Sequence, residues 1–65
     1  MNELSKKVIE LCRYEPLRSY RAKEIQRRLK VPPGRYQGLR AVLDELVSDG
    51  ELVKVKKNRF SIRKS

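Results

Sequence analysis

LRAVLDELVSDGELVKVKKNRFSIR, residues 39–63, holds two hydrophobic periods side by side. Up to Gly50 the apolar residues recur at helical spacing. Leu39, Val42, Leu43, Leu46 and Val47 continue a stripe begun by Tyr36, so a helix is expected over about residues 35 to 48. Gly50 stands where a left-handed C-terminal cap belongs. Beyond it the period drops to two. Val53 and Val55 alternate with Lys54 and Lys56, and Phe60 and Ile62 alternate with Arg59, Ser61 and Arg63. A hairpin turning at Lys57-Asn58 pairs Val55 with Phe60 and Val53 with Ile62, which puts all four on one face. Asn58 tolerates the left-handed angles of a tight turn and Lys57 suits them less, which leaves a slightly longer loop open.

Upstream, two more helical stripes precede this run. Leu4, Val8, Leu11 and Cys12 share one face of a first helix over about residues 3 to 14, capped by Asn2 and stopped by Pro16. Ala22, Ile25 and Leu29 mark a second helix that ends near Lys30 ahead of Pro32 and Pro33, with Lys23, Arg27 and Lys30 on its opposite face. Glu24 and Arg28 form a favourable i,i+4 pair on it. Leu17 to Tyr20 connects the two and has room for one bridge of sheet. Pro32-Pro33-Gly34 makes a tight turn into the third helix. Gly38 inside that helix is read as permitting close packing. The order helix, short strand, helix, turn, helix, hairpin is that of an α+β, mainly α, winged helix-turn-helix. Residues 1–65 make one domain, since a chain this short buries only roughly 60% of the surface it exposes when unfolded.

The net charge of +9 is clustered. Residues 1 to 16 balance. Residues 17 to 43 set eight basic groups against Glu24 alone. Asp44, Glu45, Asp49 and Glu51 form an acidic segment, and residues 52 to 65 carry six basic groups and no acid. Two basic blocks of this kind point to a polyanion, so the expected partner is nucleic acid. On the wing, Lys54, Lys56, Lys57, Arg59 and Arg63 are the candidate phosphate contacts, with Lys56 and Arg59 facing each other across the strands. The third helix offers only Arg35 and Arg40 near its start. Its outer face of Gln37, Ala41, Asp44, Glu45 and Ser48 would repel the phosphates of a duplex groove, so contact through its first turn and the wing is expected instead.

Chemistry is not expected of this chain. It has no histidine, no glycine-rich phosphate loop and no nucleophile beside a base. The acidic segment reads as a solvated face, because nothing in its spacing makes the oxygens converge on a metal. The lone Cys12 excludes an internal disulfide and reads as a core residue. No cofactor, metal or small-molecule substrate is expected, and no apolar run reaches membrane-spanning length. A monomer in the cytoplasm is the expected state. Tyr36 follows the core stripe. Tyr14 and Tyr20 flank the core, where packing is favoured over base stacking.

The runs RAKEIQRRL (21–29), LRAVLDELVSDGELV (39–53) and KKNRF (56–60) resemble the N-terminal winged-helix domain of bacterial ribonuclease R, over roughly residues 5 to 62. The resemblance implies that the chain is a fragment of a larger enzyme that degrades RNA from its 3′ end, hydrolytically and with a divalent metal. That enzyme has cold-shock domains, a catalytic domain and an S1 domain. The family's catalytic aspartates have no counterpart here. The implied role is accessory: engaging structured RNA or helping to unwind it, with the basic wing from Lys54 to Arg59 carried over. RNA is thereby preferred to DNA. A DNA-binding transcription regulator is the alternative, and a winged helix that binds protein carries the least weight.

Overall fold

A computed structural model describes residues 3–56 and 58–63. The expected caps and turns at Asn2 and Lys57 fall outside them. Among these residues, three helices and a three-stranded antiparallel sheet follow in the order α1 (Glu3–Tyr14), β1 (Tyr20–Arg21), α2 (Ala22–Arg28), a 3₁₀ turn (Pro33–Arg35), α3 (Tyr36–Ser48), β2 (Leu52–Val55) and β3 (Arg59–Ile62). The sheet order is β1-β3-β2, so the first strand closes one side of the hairpin. The architecture is α+β.

One core joins all of it. Val8, Ile9 and Cys12 come from α1, Ala22 and Ile25 from α2, Leu39, Val42, Leu43 and Leu46 from α3, and Tyr20, Leu52 and Phe60 from the sheet. Tyr20 lies opposite Phe60 across β1 and β3, an aromatic cross-strand pair at the centre of the sheet's inner face. The face of α1 is turned relative to the expected one. Ser5, Val8, Ile9 and Cys12 are buried, while Leu4 and Leu11 sit half-buried at the margins. The buried stripe thus runs through Ile9 rather than through Leu4 and Leu11.

The hairpin register differs from the expected one by a residue. Leu52 pairs with Ile62, Val53 with Ser61, Lys54 with Phe60 and Val55 with Arg59. The connection is therefore three residues, 56–58, and Lys56 takes a left-handed φ of 51°. The physical reason is the larger payload: this register sends Leu52 and Phe60 into the core, each 2% exposed. Val53 and Val55 turn outward instead. Lys56 does not face Arg59, and Lys54 shares the inner face with Phe60. The like-charged cross-strand pair is Arg21 with Arg59.

Two smaller expectations also change. Gly38 is exposed, and a Cβ added there meets nothing within 4 Å, so it mediates no close packing. Tyr14 does not pack in the core, being 81% exposed at the end of α1 beside an equally exposed Leu17. Tyr20 does pack, completely.

Both α2 and α3 end in the same hydrogen-bonded closure. After α2, the Lys30 amide donates to the Arg27 carbonyl and the Val31 amide to that of Gln26. After α3, the Gly50 amide donates to the Val47 carbonyl and the Glu51 amide to that of Leu46. These are paired Schellman bonds, with Lys30 (φ 55°) and Gly50 (φ 83°) as the left-handed residues.

Candidate nucleic-acid interface

Three elements converge on a groove of about 620 Å³. One face of α2 supplies Lys23 from its first turn and Arg27 from its last, four residues apart, with Arg21 just before the helix. The first turns of α3 supply Tyr36 and Arg40, again four apart. The hairpin supplies Lys54 from β2 and Asn58 from its connection, while Ala22 and Phe60 give the groove an apolar floor. Lys54 points here because of the observed register, which places it opposite Phe60 on the side facing the helices.

Among the described residues, five cations against one acid line this concavity. The acid, Glu24, is already engaged by Arg18 and by Arg28, the latter at 4.0 Å. Arg18 also reaches Glu15 at 3.9 Å. None of Arg21, Lys23, Arg27, Arg40 or Lys54 is in an ion pair among the described residues. Arg18 and Arg28 thus differ from the other basic residues of residues 17–43. Their guanidinium carbons also lie 5.0 and 5.9 Å from the ring centre of Tyr20, at cation–π range. They belong to the scaffold. The Tyr20 hydroxyl is buried without a hydrogen-bond partner among the described residues, and that burial, followed by the charge of Glu15, raises its pKa.

The residues expected from the sequence to touch nucleic acid are dispersed. Arg40 and Lys54 share the groove. Arg35 lies on the other side of the start of α3, in a separate depression with Lys7 and Lys30. Lys56 is exposed in the hairpin connection. Arg59 is half-buried beside Arg21 and Val55. The Arg63 guanidinium approaches Gly50 at the carboxyl end of α3, where a cation meets the negative end of the helix dipole. Lys57 is outside the described residues. Arg21, Lys23, Arg27, Tyr36 and Asn58 were not among the expected contacts. The i,i+4 spacing of Lys23 and Arg27 was visible, but the proximity of that face to the hairpin depends on the chain's topology.

The outer face of α3 is as read: Gln37, Ala41, Asp44, Glu45 and Ser48 are all exposed. Among the described residues, no group of three or more His, Cys, Asp or Glu side chains could hold a metal ion. No helix among them is long and apolar enough to cross a membrane. Comparison of the chain with models of protein families, with curated proteins and with solved structures returns no match.

Proposed function

We propose that this chain is a winged-helix domain that binds the phosphate backbone of nucleic acid, RNA ahead of DNA, and serves as a non-catalytic accessory module. The observation that carries this reading is the groove itself: five cations without ion pairs among the described residues, drawn from β1, α2, α3 and the hairpin, around Tyr36 and a floor that includes Phe60. Cations held apart from carboxylates on the same concave surface create a positive potential that a polyanion neutralises, with release of its counterions. The acidic outer face of α3 supports RNA over sequence-reading of DNA, because Asp44 and Glu45 would oppose insertion of that helix into a major groove. The resemblance to the N-terminal domain of ribonuclease R agrees with an accessory role in an RNA-degrading enzyme. The wing cations Lys56, Arg59 and Arg63 remain candidates for outlying phosphate contacts.

The test is affinity for two unrelated duplexes, one RNA and one DNA, across a series of salt concentrations. Arg40→Ala and Lys54→Ala should each weaken binding roughly eightfold near 0.1 M salt and lower the slope of log affinity against log salt by about 0.9. Gln37→Ala should leave both unchanged, and neutralising Asp44 and Glu45 together should strengthen binding. Groove variants that bind like the parent would overturn the reading. A loss with Gln37→Ala confined to one DNA sequence would replace it with that of a DNA-binding regulator.

A further inference from the structure

Among the described residues, two other than glycine adopt left-handed backbone, and both are lysines: Lys30 at φ 55° and Lys56 at φ 51°. At the position of Lys30 glycine is the usual choice, because a Cβ in this conformation crowds the neighbouring carbonyl. Nothing in the closure of α2 needs the lysine side chain, since its bonds are made by backbone groups and by the Gln26 side-chain amide, which donates to the Val31 carbonyl. Lys30 instead lines the second depression, about 420 Å³, together with Lys7 of α1 and Arg35 of the 3₁₀ turn. Leu4 and Leu29 form part of its apolar wall, and Glu3 is the one acid among the described residues that line it. Lys7, Lys30 and Arg35 are exposed and make no ion pair among the described residues. Arg35 and Tyr36 are consecutive, yet one lines this depression and the other the first groove. The two concavities therefore flank the first turn of α3.

We propose that Lys7, Lys30 and Arg35 form a second phosphate site, which takes the backbone of the nucleic acid seated in the first groove as it passes over the start of α3. The proposal rests on the nucleic-acid reading and adds a footprint to it. A cation retained at a strained backbone position, within a concave group of cations, has a use that the fold does not supply. Three phosphate contacts here would lengthen the path of the ligand across the domain and steepen the salt dependence beyond what the first groove accounts for.

The experiment uses Lys30→Gly and Lys30→Ala in the whole chain, with a labelled RNA duplex long enough to span the domain. Both remove the charge, but only Lys30→Gly relieves the backbone. Both should weaken binding equally, roughly eightfold near 0.1 M salt, and lower the salt slope by about 0.9. Lys30→Gly alone should melt several degrees higher, so its loss of affinity cannot come from unfolding. Adding Lys7→Ala and Arg35→Ala should lower the slope by about three contacts in all. If Lys30→Gly binds like the parent while Arg40→Ala does not, the second site is wrong and the first groove stands. If neither variant weakens binding, or the parent binds no nucleic acid, both readings fall. Inorganic phosphate, at ionic strength matched with chloride, should not abolish the Lys30-dependent share of binding. Selective abolition would mark a site for a free anion and overturn the backbone assignment.

Discussion

The ends of α2 and α3 are closed by the same pair of backbone hydrogen bonds, but one is completed by Lys30 and the other by Gly50. The angles explain how both are tolerated. Lys30, at φ 55°, sits near the centre of the left-handed well, where a side chain is accepted at some cost. Gly50, at φ 83°, lies away from that centre, and a Cβ there would come within 2.8 Å of the Arg63 guanidinium. At the end of α3 the backbone decides the residue. At the end of α2 the backbone would accept glycine, and the chain carries a cation instead. Where the local structure has a preference and the sequence departs from it, the side chain is the place to look for a role.

The core between the two ends sets the scale against which they can be compared. Leu43 is fully buried, and Leu43→Ala should cost about 2–5 kcal/mol, measured by denaturant unfolding. For a domain this small, that loss approaches the whole stability. Unchanged stability would mean that α3 does not bind the elements together and that its ends cannot be compared through it. Gly50→Lys comes next, with an expected loss of about 1–2 kcal/mol. The Arg63 side chain can move aside, so the loss should persist when Arg63→Ala is added. If the second change restores stability, crowding rather than φ sets the requirement for glycine. Lys30→Gly should gain about 1 kcal/mol, whereas Lys30→Ala should gain nothing, because alanine keeps the Cβ. Equal melting temperatures for these two would remove the contrast between the helix ends. The smallest effect is expected at Gly38, whose exposed helical position opens onto free space. Gly38→Ala should gain up to about 1 kcal/mol, and a loss would show that this position is constrained.

The sequence made helices legible where apolar spacing and punctuation agreed. α1 spans the expected residues, and α3 starts one residue inside its expected limit, because Pro16, Pro33 and Gly50 mark their ends through backbone chemistry alone. The first strand was legible only as room for a bridge, since its two residues are specified by pairing with β3 rather than by any pattern of their own. The hairpin register departs from the pattern for a definite reason. Val53, Val55, Phe60 and Ile62 alternate so cleanly that a two-residue turn puts all of them inside, but Leu52 just upstream competes for the same core. A three-residue connection with Lys56 left-handed lets Leu52 win. The candidate groove was half legible for the same reason. Arg40 and Lys54 stood out as cations on the right elements. That Lys23 and Arg27 stand with them follows from how α2 crosses the hairpin, which no local spacing encodes.

Cys12 gives this molecule an internal clock. It is the single thiol, its side chain is wholly enclosed, and burial lifts its pKa from 9.0 to about 11. Only the thiolate reacts with alkylating or disulfide reagents, so near neutral pH the folded chain should react with them only slowly. Each labelling event records an opening of the core. The reaction rate should therefore rank variants by how often the core around Cys12 opens, without a denaturant. Alkali winds the clock faster. The advantage of burying a neutral thiol is fully present below pH 9 and drains away as pH rises toward 11. The Tyr20 hydroxyl, also raised by burial, adds to the same alkaline loss.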